Sequence, residues 1–422
     1  MLRPHEASGK AGSLVYFIVL LLSACSDSPE AGAPGADHAS TTPAAATRIS
    51  MLEHPAADGS GEASLLQLES ELLFSWIETG VDTNYLKMGR LTNGQWSEPV
   101  TIASGQDWFV NWADFPALAA SSDGRLSAHW LAREGESTYA YGIRLSSSSD
   151  GGENWSQALS PHRDGTLSEH GFVSYFPLAD GRQGVVWLDG RHTVGGEGHG
   201  GAMSLRAVLV DANGMLSGEA ELDNRICDCC QTDAAATDQG AVVVYRDRSE
   251  DERRDIGIVR LVDGLWQTPQ RVAEDGWVIS ACPVNGPAVV VTGSTVAVAW
   301  FTMAGGQPAV KLASSADVGE SFAAPLRIDA GSPLGRVDLA ALDDGSVVVS
   351  WLENRGDDAV VQLGRLQGQE LIETIEVGQT NPARSSGFPR LAAAGGTVWV
   401  VWRQVDEQSK TLRLAQVDFA EL

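Results

Sequence analysis

The feature that most restricts this chain is a β-rich run, closed by an aromatic residue, that returns seven times. The runs are LLFSW ending at Trp76, LSAHW at Trp130, GVVW at Trp187, VVVY at Tyr245, VAVAW at Trp300, VVVSW at Trp351 and VWVVW at Trp402, spaced by 54, 57, 58, 55, 51 and 51 residues. Valine and aromatic enrichment at that period, with hardly any helical periodicity, describes one small sheet per repeat. Turn residues precede the runs, among them Ser122-Asp123-Gly124, Ala179-Asp180-Gly181, Asp343-Asp344-Gly345 and Ala394-Gly395-Gly396, and a short apolar strand lies before each turn. Each unit therefore holds an antiparallel hairpin, and two further strands fill its length. A four-stranded sheet that is apolar on both faces must stack between copies of itself, so the chain is predicted to be all-β, a β-propeller of four-stranded antiparallel blades. The count gives seven blades, with six the alternative if one echo is false. The last unit ends after RLAQVDF, one strand short, whereas TRISML around Ile49 precedes the first unit. That N-terminal strand is predicted to complete the last blade and close the ring.

Ahead of the repeats, Arg3 and Lys10 stand before an apolar run over 14–22, followed by Ser23, Ala24 and Cys25, the layout of a secretory signal. The run is too short to span a bilayer comfortably. Leu22-Ser23-Ala24-Cys25 resembles a bacterial lipobox. The resemblance implies a signal peptide over 1–24, lipidation of Cys25, and a membrane partner reached through the lipid. Residues 25–47 are rich in Ser, Ala, Pro, Gly and Asp and read as a flexible linker. A single propeller domain is expected over 48–422, lipid-anchored in the cell envelope, with Ser26 compatible with sorting to the outer membrane, and monomeric. The net charge of −26, from 55 acidic against 29 basic residues, excludes a general nucleic-acid binder and suits a solvated acidic surface.

Two segments between third and fourth strands, SSDGGENW at 148–155 and SADVGESF at 315–322, both read Ser-x-Asp-x-Gly-x-x-aromatic. Here Ser148, Asp150, Gly152 and Trp155, and Ser315, Asp317, Gly319 and Phe322, supply side chains that cap a tight turn, a glycine that closes it and an aromatic that tucks into the blade. The pattern resembles the Asp box of the sialidase superfamily, in which such boxes lie on the outer rim, away from the active face. The resemblance implies a sialidase-like propeller and the possibility of glycoside hydrolysis at the central funnel. Sialidases carry an Arg-Ile-Pro-like motif early in the chain, two more substrate-gripping arginines, a Tyr-Glu nucleophile pair and an acidic acid/base. No Arg-Ile-Pro-like text stands in the first two units, and the nearest is Phe388-Pro389-Arg390 in the last.

Counting from the repeated aromatic locates the functional face. Eighteen residues before it stand Trp112, Glu169 (with His170 following), Cys227, Cys282, Pro333 and Arg384; two after it stand Glu78, Ala132, Asp189, Asp247, Thr302, Glu353 and Gln404. Arginines lie close by at Arg133, Arg191, Arg248 and Arg355. These carboxylates and arginines either lock loops between blades or converge on the funnel. In the second case Asp189, Asp247, Tyr245 and Glu353 are the candidate catalytic groups, and Arg191, Arg248, Arg384, Arg390 and Trp112 the candidate ligand-binding groups for a glycan or another anionic small molecule. Two loops are long: WLDGRH with GGEGHGG, around His192 and His199, and YRDRSEDERRD at 245–255.

Besides Cys25, the chain has Cys227, Cys229, Cys230 and Cys282, all leading into the innermost strands of adjacent units. In an exported protein they read as disulfides with three possible connectivities, or as a soft-metal site for copper or zinc with His170 nearby, or as holding a nucleophilic thiol. The functional expectation is a glycan-directed hydrolase acting at the funnel. The alternative is a non-catalytic surface propeller that binds a glycan, a protein or a soft metal such as copper.

Overall fold

The structure, a computed structural model, describes residues 48–194, 201–406 and 409–419. The signal segment, Cys25, the linker up to residue 47 and His199 lie outside the described residues. Within them the chain forms seven antiparallel sheets and two single turns of 3-10 helix, with no α-helix.

In blade 3 the meander is plain: His170–Pro177 innermost, then Gln183–Asp189, Met203–Val210 and Leu216–Ile226 at the outer edge. Blade 2 departs from it. Three strands, Leu118–Ala120, Leu126–Arg133 and Tyr141–Ser148, are regular, and the fourth is reduced to one bridge between Leu145 and Leu159. First strands of successive blades contact one another around the whole ring, which makes them the wall of the axial channel.

Blade 7 is closed as expected. Ile49–Leu52 pairs antiparallel with Lys410–Asp418, Ile49 opposite Val417 and Leu52 opposite Leu414, so the first strand of the chain is the outermost strand of the last blade. The pairing fills the outer side of Lys410–Asp418 and leaves only the short Ile49–Leu52 as the edge of the blade.

Each of the seven interfaces between blades has its own apolar cluster. Val242, Val244, Ile256 and Ile258 of blade 4, for example, pack against Val289, Val296, Val298 and Trp300 of blade 5. Because both faces of a blade are covered, the second strands read as continuous apolar runs rather than alternating ones: Val242, Val243 and Val244 are all fully buried. The repeated aromatics lie near the ends of these strands in the clefts between blades, and Trp76, Trp187, Trp300 and Trp351 are among the largest fully buried side chains.

The two Asp-box segments form matching turns. Gly152 N–H donates to Ser148 Oγ (2.8 Å), Ser148 Oγ donates to Asp150 (2.7 Å), and Asn154 N–H donates to Asp150 (2.9 Å). In the second box Gly319 donates to Ser315, Ser315 to Asp317 and Ser321 to Asp317 at 2.8, 2.6 and 2.8 Å. Gly152 and Gly319 sit at φ 93° and 80°, and a Cβ there would strike Met88 of blade 1 or Ile258 of blade 4. The left-handed turn calls for glycine at both positions, and its missing Cβ leaves room for the flexible ends of Met88 and Ile258. The two boxes follow the third strands of blades 2 and 5, where the sequence pattern located them.

Candidate functional site

Three of the four acidic positions two residues after the repeated aromatic, Glu78, Asp189 and Glu353, share one structural duty. Residues i and i+2 point to the same side of a strand. Trp76 Nε1 accordingly donates to Glu78, Trp187 Nε1 to Asp189 and Trp351 Nε1 to Glu353, each at 2.8 Å. Where the acid is missing, another group answers: Trp300 donates to Asp275 (2.6 Å) and Trp402 to the Gln379 carbonyl (3.2 Å); the Tyr245 hydroxyl bypasses Asp247 and donates to Asp223 (2.6 Å). A buried indole N–H needs an acceptor, and these carboxylates supply it.

Three of the four catalytic candidates are thereby engaged. Asp189 and Glu353 are fully buried, and Tyr245 is 1% exposed with its phenol pushed well above the ordinary range by burial and by Asp223. Asp189 also takes both arms of Arg191 (2.7 Å each), which hold it below the usual carboxylate range against its burial. Asp247 is the most open of the set; burial raises its carboxyl, and it accepts the Arg248 N–H.

Around Asp189 lies an ionic lock between blades 2 and 3. Arg191 reaches Asp164 (3.5 Å) and Glu219 (3.0 Å) as well, and His170 Nε2 lies 3.1 Å from Asp164 and 3.6 Å from Asp189. His162 stacks on His170 with ring centroids 3.9 Å apart, and burial pushes its imidazole down to about 3. Arg248 is similarly spent on Glu252 (2.7 Å) within the 245–255 loop. His192 is exposed beside Glu221 (3.4 Å).

At the centre of this face, residues 112–115 of blade 2 cross the mouth of the channel. Trp112 stacks on Phe388 of blade 7 (centroids 5.9 Å) and takes the Arg336 guanidinium of blade 6 over its ring at 5.0 Å. Gln231 of blade 4 donates to the Ala113 carbonyl (2.6 Å), and Arg390 of blade 7 lies over Phe115 (5.2 Å). Below this roof a cavity of about 380 Å³ runs along the inner strands, lined by Ser64, Ser174, Asp233 and Arg390 among others. Arg390 is paired there with Asp338 (3.3 Å), whereas Arg384 is exposed on the face.

Three blades carry the same irregularity at the rim. Glu62, Phe172 and Arg336 have φ of 50°, 55° and 60°, each just after a glycine and at a register break in the inner strand. The segments read GEAS (61–64), GFVS (171–174) and GRVD (335–338), a Gly-x-(Ala/Val)-(Ser/Asp) repeat that counting from the aromatic passes over. A left-handed non-glycine residue costs about 1–2 kcal/mol, and repeating it in equivalent places marks these bulges as fixed devices that re-aim the rim.

One of the bulges builds a site that strand spacing does not reveal. Asp114, in the roof, accepts the Phe172 N–H (2.7 Å) and the Tyr141 hydroxyl (3.2 Å), and the same hydroxyl lies 2.6 Å from Glu169. Gly171 permits the approach, since a Cβ there would collide with the Asp114 carboxylate. Burial pushes Asp114 up to about 8, against the Phe172 N–H and with the charge of Glu169 adding to the rise. Burial likewise pushes Glu169 up to about 7, with the Tyr141 hydroxyl opposing and Asp228 adding. Tyr141 and Asp114 are buried, and Glu169 is half-buried. Glu169 is among the positions found by counting; Tyr141 and Asp114 are not.

Beside Glu169, the four cysteines gather at the loops leading into blades 4 and 5. Cys227 Sγ lies 2.9 Å from Cys230 Sγ and 3.8 Å from Cys229 Sγ; Cys229 and Cys282 fall within 4.8 Å of one another together with Asp228. All four thiols are free, and the shortest separation exceeds the roughly 2.05 Å of a disulfide. Cys227 and Cys230 are buried, Cys229 is half-buried and Cys282 exposed. Arg254 Nη1 donates to Cys227 Sγ (3.2 Å). His170 belongs to the Asp164 cluster instead.

No protein-family model matches the chain, and no curated protein matches it. Solved structures do. A polysaccharide lyase, an ulvan lyase bound to -[GlcA(1-4)Rha3S]-, has a TM-score of 0.54 at 11% identity over 87% of this chain and 96% of that one. The polysaccharide lyase Uly1 has a TM-score of 0.52 at 11% identity over 87% and 92%. A protein of unknown function from Dyadobacter fermentans has a TM-score of 0.51 at 13% identity over 88% and 98%. At such identities the likeness is one of fold.

Proposed function

We propose that this propeller acts on an anionic glycan, as a glycan-directed hydrolase, at the face that carries Glu169. The reading rests on the Tyr141–Glu169 contact. A carboxyl held near 7 and 2.6 Å from a phenol is divided between acid and base forms at neutral pH, which is what proton transfer to and from a glycosidic oxygen needs. As the acid, Glu169 protonates the leaving oxygen as the glycosidic C–O bond breaks; water then adds to the anomeric carbon, and Glu169, now the carboxylate, takes the proton that this water loses. Tyr141 and the protonated Asp114 behind it hold Glu169 in place. Trp112 offers a half-buried ring for stacking and Arg384 an exposed guanidinium for a carboxylate or sulfate. The ulvan lyase that shares the fold is bound to a saccharide of that charge.

A second reading, a non-catalytic propeller that holds a soft metal ion such as copper or zinc, is favoured by the four sulfurs on the same face. Either activity is placed in the cell envelope, on a monomer tethered through lipidated Cys25; incorporation of a fatty-acid label that survives Cys25→Ser would remove the tether from this account.

The test is a screen against chromogenic glycosides, including sialosides, and uronate- or sulfate-bearing polysaccharides, with Glu169→Gln as control. Turnover that falls at least about 100-fold in Glu169→Gln, within the usual contribution of a general acid, supports the hydrolase. Binding without turnover reduces the protein to a lectin-like propeller, and neither binding nor turnover overturns the glycan reading.

A further inference from the structure

We propose that Cys227, Cys229, Cys230 and Cys282 form a thiolate site for one thiophilic d10 metal ion, zinc or copper(I), that ties the loop of blade 4 to the loop of blade 5. This deepens the second reading and stands apart from glycan turnover.

Geometry carries the inference. Metal–sulfur bonds of about 2.3 Å in a tetrahedron place neighbouring sulfurs about 3.8 Å apart. Cys227 and Cys229 already stand at 3.8 Å, and Cys229 is common to both groups of converging ligand atoms, Cys227-Cys229-Cys230 and Asp228-Cys229-Cys282. Cys230, at 2.9 Å from Cys227, must swing outward by about 1 Å to join them, and Cys282, which converges with Cys229 but not with Cys227 or Cys230, must swing inward. Soft sulfur ligands select zinc and copper(I) over magnesium or calcium.

The surroundings suit a cluster of anionic sulfurs. The Arg254 guanidinium donates to Cys227 Sγ while its other arm is held by Glu252 (2.7 Å), the fixed outer partner that metal thiolates commonly have. Arg246, fully buried over Trp277, donates to the carbonyls of Asn285, Arg254 and Phe301 at 2.8, 2.6 and 2.7 Å. It thus pins the segment after Cys282 to the second strand of blade 4, whose last residue, Arg246, accepts the Cys227 N–H (2.9 Å). The scaffold holds both loops before any ion arrives, and only Cys282, exposed 3.8 Å from Asp228, stands at the solvent side as the point of access.

The experiment uses the chain carrying Cys25→Ser, which removes the one other cysteine. Reduced protein is titrated anaerobically with zinc or with copper(I) against a coloured chelator, and thiol alkylation is counted by mass before and after loading. The expected result is one ion per chain, protection of all four thiols, and binding weakened about 100-fold in Cys229→Ser, the upper end of what losing even an outer partner costs. Cys282→Ser, at an exposed position, keeps the fold measurable by circular dichroism and weakens binding too. Preference for zinc or for copper(I) tells the two ions apart, and either supports the site. Glu169→Gln binds metal unchanged, so loss of turnover and loss of metal are separable. Stoichiometry below one in ten, thiols that remain open to alkylation at saturating metal, or equal binding by Cys229→Ser overturns the proposal.

Discussion

Replacing Glu353 by glutamine separates a structural carboxylate from a catalytic one. Glu353 is fully buried and accepts three N–H groups, from Trp351 Nε1 (2.8 Å), Ser332 (2.6 Å) and Ala330 (3.4 Å). Arg327, which feels its charge, is paired with Asp329 instead. A glutamine carbonyl can keep the Ser332 bond, but its amide nitrogen then faces the Trp351 N–H, donor against donor. The lost charge-assisted bond costs about 1.5–3 kcal/mol and the stranded indole N–H about 1–3 kcal/mol. Relief from burying an ionised carboxylate offsets part of this, leaving a net loss of about 2–4 kcal/mol. Trp351→Phe removes the donor, so in that background the cost of Glu353→Gln should shrink by about 1–2 kcal/mol, the coupling expected of groups in direct contact. Urea unfolding followed by circular dichroism gives both numbers. If Glu353→Gln changes stability by less than about 0.5 kcal/mol, as an unremarked surface site would, yet abolishes turnover, the structural assignment of the Trp-x-acid pairs is wrong.

Asp114 makes stability depend on pH in a defined direction. Its carboxyl is raised from 3.8 to about 8 in the folded state, so its contribution is fully present below about pH 4 and is lost as pH rises toward 8, at up to about 1.4 kcal/mol per pH unit. Asp114→Asn keeps an acceptor for Phe172 and cannot titrate; melting temperatures between pH 5 and 8 should therefore fall less steeply than in the parent, and parallel curves would refute the assignment. Deleting residues 48–52 should strip the outer edge of blade 7, costing about 2 kcal/mol or more in apolar contact alone and leaving Lys410–Asp418 open to pair between molecules. Light scattering after size exclusion would detect the association, and a monomer with an unchanged melting temperature would count against it.

What the sequence could and could not convey follows from how a ring is built. The blade count, the Asp-box turns and the closure of blade 7 are legible because each is set within one repeat or by one repeat's missing strand. The acids after Trp76, Trp187 and Trp351 were visible as a ring, but a two-residue offset on a strand does not tell an indole's acceptor from a proton donor. The contact of Asp114, Tyr141 and Glu169 depends on a roof loop of blade 2 meeting the bulge of blade 3, and no spacing along the chain encodes that meeting. The Gly-x-(Ala/Val)-(Ser/Asp) repeat at 61, 171 and 335 was the available signal, since it marks where inner strands break register. The cysteines converge because Cys227 and Cys282 hold equivalent places in neighbouring blades, which counting does predict; their pairing state depends on sulfur positions that it does not.

The strand that seals blade 7 also orders events in time. Ile49–Leu52 is the first strand of the ring to be synthesised, and its partner, Lys410–Asp418, is the last. A chain emerging N-terminus first must therefore keep its opening strand uncommitted while six blades assemble, and every blade interface is provisional until the two ends meet. A premature meeting with the tail of another molecule would satisfy the same hydrogen bonds and link two rings. The latch that joins the two ends of the ring is thus also the step at which a crowded population of half-made rings is most exposed to error.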